Sequence, residues 1–191
     1  MWALIESGNI TAVYNTPRAI KIEDIQYPAN IFTLWSQSEL NAIGIYEVIQ
    51  DLSNFKDKKY YINTNETFTY DSSAGTVTRS FGTATAKPLN DSTDENGVVS
   101  PGLKTVHKNI VDSQAYTHLQ SSDWMVVRNA EISTAIPSDW SDYRASVRST
   151  ATSMKEKIDA VSDIEGFIAL YTYSGSPSVR PLGEWPTPPA S

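Results

Sequence analysis

The sequence predicts an α+β fold: a small, mostly antiparallel β domain with one short helix over residues 1–86, then a helical domain over 103–173. Three observations predict it. β-branched and aromatic residues recur in short runs before residue 86, the apolar period turns helical after residue 103, and a polar stretch separates the two. Strands in a run followed by helices in a run distinguish this class from an alternating α/β chain. The composition agrees, with 40% hydrophobic and 19% charged residues, 10 Pro and 9 Gly. Ser, Thr and Asn take up the difference, which suits strands and turns. At 191 residues the chain can bury a sizeable core without disulfide or metal staples.

The opening reads as a hairpin. Trp2-Ala3-Leu4-Ile5 and Asn9–Tyr14 flank Ser7-Gly8-Asn9, where Gly and Asn supply positive φ. Thr16-Pro17 breaks the pairing, and Ala19–Ile22 makes a further short strand. Residues 27–35, rich in large apolar groups, are expected to form the core of this half. Ser36-Gln37-Ser38-Glu39 is a capping box opening a short helix, and Gly44 sits where a left-handed residue ends it. Ile45–Ile49 then alternates as a strand. Lys59–Asn63 and Thr67–Tyr70 are expected to pair as a hairpin around Thr64-Asn65-Glu66. Thr76–Phe81 continues the β-branched bias.

Residues 87–102 are polar and acidic, and a segment of that composition buries too little to order itself. They are expected to be a linker. Beyond it, Val106, Ile110, Gln114 and Leu119 mark one face of a helix over 104–120. Ser121-Ser122-Asp123 offers an N-cap for a short turn carrying Trp124, Val126 and Val127. Pro137 suits the first turn of a helix over 137–160, whose buried stripe is Tyr143, Val147, Met154, Ile158 and Val161. Ser162-Asp163-Ile164-Glu165 is a second capping box, ahead of Phe167, Ile168 and Tyr171. Residues 174–191 contain 5 Pro and read as an extended arm.

The chemistry is sparse. The chain has no Cys and a net charge of −7, so thiolate chemistry is excluded and sequence-independent nucleic-acid binding is not expected. No signal peptide or bilayer-spanning helix is expected either. Met1–Ile5 lacks a basic region and runs straight into Glu6, and apolar runs fall far short of roughly 20 residues. The chain reads as soluble, with its fold beginning at once. His107 and His118 lie on one helix with about 16 Å of rise between them, too far apart to share a metal or proton. They read as surface or interface side chains. Asp91, Asp94 and Glu95 do not follow the alternating ligands of an EF-hand loop and read as a solvated acidic loop. No nucleophile elbow, zinc-helix or phosphate-loop motif occurs. The expectation is no catalytic residue, no cofactor and no metal site.

Two stretches resemble known proteins. Residues 25–46, Ile-Gln-Tyr-Pro-Ala-Asn-Ile-Phe-Thr-Leu-Trp-Ser-Gln-Ser-Glu-Leu-Asn-Ala-Ile-Gly-Ile-Tyr, resemble a segment of small tail-associated proteins of tailed, especially marine, bacteriophages. Asp123-Trp124, Ala135-Ile136-Pro137 and Tyr143–Arg148 are similar to the helical part of phage tail-fibre proteins and their assembly chaperones. The resemblance implies a structural subunit of a virion tail: an adaptor, collar or fibre-attachment part. It implies a homo-oligomer that contacts other tail proteins and resides in the virion after assembly in the host cytoplasm. A fibre-assembly chaperone and a glycan-binding receptor-recognition protein are the alternatives.

Within that setting the arm is expected to lie across an adjacent subunit, the alternative being that it folds back over its own helical domain. Val179, Leu182 and Trp185 recur every three residues, which stacks them along one side of a polyproline-type helix. They would anchor the arm, with Arg180 and Glu184 at the rim.

Overall fold

The computed structural model describes residues 1–190. Ser191, the last residue of the expected arm, lies outside the described residues. The fold is α+β, and the chain divides into two compact units, one of Met1–Thr85 and one beginning at Ala86.

In the first unit, β1 (Trp2–Glu6) and β2 (Asn9–Tyr14) form the opening hairpin. Ser7 and Gly8 both take positive φ, 50° and 80°, the geometry that matches a two-residue turn to strand twist. β3 (Ile20–Ile22) and β4 (Ile25–Tyr27) make a small second hairpin. Residues 27–35, expected only as core, contain a helical turn, α1 (Ile31–Leu34). Ile31 and Phe32 are buried, whereas Leu34 and Trp35 face outward. The Ser36–Glu39 capping box is present at the start of α2 (Gln37–Ala42), and Gly44 follows it at φ +81°.

β5 (Ile45–Gln50), β7 (Thr67–Asp71) and β8 (Thr76–Ser80) join the first hairpin in one sheet, ordered β2-β1-β5-β8-β7. The sheet is antiparallel except at its centre, where β5 and β8 pair parallel, Val48 opposite Val77: β7 comes between them in the chain, and the turn after it returns β8 in the direction of β5. One expectation is corrected here. The expected hairpin around Thr64–Glu66 does not form. β6 (Tyr61–Ile62) pairs instead with β9 (Thr85–Ala86), and β7 pairs with β8. The reason is the turn at Asp71: its Oδ1 accepts the N–H groups of Ser73 and Ala74, while Gly75 supplies a φ of 62°.

Alternation along the strands gives the sheet two apolar faces. Leu4 and Ile45 pack with Ile20, Ile31, Phe32 and Leu40 on one side. Ala3, Val48 and Val77 pack with Ile5, Tyr46, Phe68 and Tyr70 on the other, where the sheet curls until β2 and β7 meet.

In the second unit the expected linker proves ordered. β10 (Ser92–Thr93) and β11 (Val99–Ser100) pair, and Asp94 Oδ1 accepts the N–H groups of Asn96 and Val98. Composition counts burial only. The order here comes from carboxylates turning the backbone and from the open N–H groups at the start of a helix. Leu103 and Lys104 donate theirs to Pro88 and Leu89, at 2.9 and 3.0 Å.

That helix is α3 (Leu103–Gln120), and it runs antiparallel to α5 (Ser138–Ala160). Lys108–Asp159 and Lys155–Asp112 ion pairs, 2.8 and 2.6 Å, fix the register. The α5 stripe of Tyr143, Val147, Met154 and Ile158 is buried, and Ala151 completes it. Pro137 is the N-cap of α5 rather than its first helical residue.

On α3 the buried face is not the expected one. Leu103, His107, Val111 and Ala115 face α5, while Val106 and Ile110 lie on the exposed side. The helix carries two apolar stripes, and the inner one is hidden in the sequence by a histidine. α4 (Asp123–Ile132) is a full helix rather than a short turn. In α6 (Ile164–Tyr171) the cap is Asp163, whose Oδ1 accepts Gly166 N–H at 2.7 Å, in place of the expected Ser162 box.

Arg144 ties this unit together. Its guanidinium is buried and donates to Leu119 O (3.0 Å), Ser122 Oγ (2.6 Å) and Asp123 Oδ1 (2.8 Å). Arg144→Ala removes the donor shared by Leu119 O, Ser122 Oγ and the Asp123 carboxylate, and is expected to cost about 3 kcal/mol, read by urea unfolding of the second unit. Arg144→Lys should recover only part of this, because an ammonium lacks the planar fork. In the first unit a Cβ on Gly44 would lie 2.6 Å from Ile5 O. Gly44→Ala is therefore expected to cost more than about 1 kcal/mol, visible as a lower Tm for that unit.

Candidate functional site

The expected arm residues are not presented together to a partner. Ser174 and Val179 exchange backbone hydrogen bonds of 2.9 and 3.0 Å, closing a tight turn. The chain then lies back on its own helices. Leu182, 3% exposed, sits in the helical core, and its N–H donates to Leu170 O at 3.0 Å. Lys157 Nζ donates to the carbonyls of Pro181 and Leu182. Arg180 pairs with Glu184 at 3.0 Å, and Val179 is 58% exposed.

The three-residue stacking of Val179, Leu182 and Trp185 is thus corrected. The Ser174–Val179 turn and the positive φ of Gly183, 104°, break the polyproline period that would align them. Leu182 belongs to this chain's own core, and removal of the arm would open it.

Trp185 turns up in a different role. Its Nε1 donates to Gln114 Oε1 on α3 at 3.1 Å, and its ring lies 5.0 Å from that of His118. Between Trp185 and α3 runs an open groove of about 460 Å³, lined by Asn109, Ile110, Ser113, Gln114, Thr117 and His118. His118 Nδ1 lies 3.0 Å from the Tyr143 hydroxyl, whose pKa burial pushes above its ordinary value.

His107 is not the surface side chain expected. It is 5% exposed, its Nδ1 lies 2.7 Å from the Tyr171 hydroxyl, and its ring meets the Phe167 ring edge-on at 4.9 Å. An imidazole can be buried where both its face and a nitrogen are answered.

The second candidate surface is α4. None of its residues is buried. Trp124 is 53% exposed, Val127 54% and Ile132 67%, with Val126 beside them. Arg128 holds its guanidinium 4.8 Å over the Trp124 ring, and its Nε has no hydrogen-bond partner among the described residues although it is shielded from solvent. The sequence does not show how α4 is held: Arg144 binds Ser122 and Asp123 at its N-terminal end.

The acidic loop spends its carboxylates on the backbone. Asp91 Oδ1 accepts Gly102 N–H at 2.8 Å. That bond foremost, helped by the Thr105 hydroxyl, holds the Asp91 carboxyl below its ordinary 3.8.

Against known proteins, the chain matches no family model, no curated protein and no solved structure.

Two outcomes are expected. A depressed carboxylate pKa means that Asp91 stabilises the fold above its unfolded value and that this support is lost as pH falls through the lower folded value. A carbon-13 titration should therefore place the Asp91 midpoint below 3.8, with faster Gly102 amide exchange once it protonates. Leu182→Ala should destabilise the second unit by about 2–4 kcal/mol in chemical denaturation, whereas Val179→Ala should be near neutral.

Proposed function

We propose that this chain is a structural subunit of a bacteriophage tail, an adaptor or fibre-attachment part that acts through protein–protein contacts, and that α4 is where two copies meet. The setting rests on the resemblance of residues 25–46 and 123–148. The mode of action rests on one observation: a ten-residue helix with Trp124, Val126, Val127 and Ile132 outward and no buried residue. Exposed apolar surface of this kind marks an interaction site.

A second copy is the occupant that the charges favour. Arg128 and Glu131 lie one turn apart on α4, and neither has an ion-pair partner among the described residues. A two-fold contact between antiparallel α4 helices brings Arg128 of one copy to Glu131 of the other.

The test has two arms. Analytical ultracentrifugation of the full chain should show a dimer or higher oligomer, reduced at least about tenfold in affinity by Val127→Asp. Arg128→Glu should weaken association and the Arg128→Glu, Glu131→Arg double variant should restore it. A monomer at high concentration overturns the α4 reading. Mass spectrometry of purified phage particles tests the setting, and detection only in lysate would favour an assembly chaperone.

A further inference from the structure

We propose that the groove between α3 and Trp185 is a binding site for a neutral saccharide. The chain carries 22 acidic and 15 basic residues, yet no charged side chain lines this groove. An ionic ligand would find nothing there to pair with, and an unpaired charge is costly to desolvate. The lining instead combines two carboxamides, Asn109 and Gln114, two hydroxyls, Ser113 and Thr117, an imidazole and an indole. Carboxamides and hydroxyls both donate and accept, which matches the dual character of sugar hydroxyls.

The indole supplies the other half of the recognition. A pyranose presents a face of C–H groups that packs on apolar and aromatic surface. One side of the Trp185 ring is taken by the His118 imidazole, 5.0 Å away, so the rest of the indole and Ile110 supply that surface. Trp185 is held in place. Its Nε1 is held by Gln114, and the preceding Leu182 is buried, so the ring is positioned before a ligand arrives and little ordering remains to oppose binding. The same bond leaves the Gln114 Nε2 amide without a partner among the described residues. His118 likewise keeps Nε2 for a ligand while Nδ1 is engaged by Tyr143. The volume of about 460 Å³ falls within the roughly 300–1,000 Å³ of small-molecule sites, which suits one or two sugar units.

This inference does not rest on the α4 contact, and it is read on a different surface. The full chain, labelled with nitrogen-15, is titrated with glucose, galactose, mannose and N-acetylglucosamine, with heparin as the anionic control. At least one neutral sugar should shift the amides of 109–118 and the Trp185 indole N–H, saturating in the millimolar range, about −4 kcal/mol. Trp185→Ala should weaken that binding at least about tenfold, and Asn109→Ala about threefold with unchanged Tm. If Trp185→Ala fails to fold, Asn109→Ala and Thr117→Ala, both on the exposed face of α3, decide the matter. No shift with any of the four sugars at about 100 mM, equal binding by the variants, or a response to heparin alone would overturn the proposal.

Discussion

The second unit depends on one buried cation. Arg144 sits where α3 ends and α4 begins, and its two terminal nitrogens answer a carbonyl, a hydroxyl and a carboxylate. The last carbonyls of a helix have no partner within it, so a guanidinium placed there can answer one of them, Leu119 O, and complements the negative end of the helix dipole. Removing such a charge from water is costly. The cost is limited here because Asp123, its counter-ion, stays about half exposed at 48%. Ser122, fully buried, can be polar in the core only because Arg144 donates to it while its own hydroxyl donates to Leu119 O.

The same anchor explains why α4 is so exposed. Helices in globular domains ordinarily owe their stability to a buried face, and α4 has none. It is held at its N-terminal end by Arg144, and its C-terminal end closes through Ser133 in the left-handed region. A helix tethered at one end, carrying Trp, Val and Ile outward, is stable enough to present a surface without spending that surface on its own chain. Tethering and presentation are one arrangement.

Local features were the legible ones. The Ser36–Glu39 box, the Ser7-Gly8 turn and the α5 stripe each depend on residues within a few positions, and each stands in the structure. Pairings between distant residues were not legible. The parallel β5–β8 pair, the Arg144 network and the Trp185–Gln114 bond across 71 positions leave no local periodicity. α3 misled for a subtler reason. Val106 and Ile110 read as apolar as Leu103 and Val111, but the stripe containing His107 lies against α5 and α6, where Tyr171 and Phe167 complete it. Polarity in the sequence is scored residue by residue. Burial is decided by whether the neighbours can answer each polar atom.

The arm follows from that choice of face. Because α3 turns its His107 stripe inward, Ile110, Gln114 and Thr117 are left on the outside, too polar to close against another helix and too apolar to be idle surface. A Pro-rich segment suits such a place. It needs no hydrogen-bonded partner strand, and its φ angles are already restricted, so docking removes little freedom. Only two of its residues are needed to fix it: Leu182 fills the core beside α6, and Trp185 spans to Gln114. Lys157 satisfies the carbonyls of Pro181 and Leu182 at the first of them. With Leu182 seated beside α6 and Trp185 reaching α3 only at Gln114 and His118, the rest of that α3 face stays open, and a groove remains where a closer-packed chain would have made a seam.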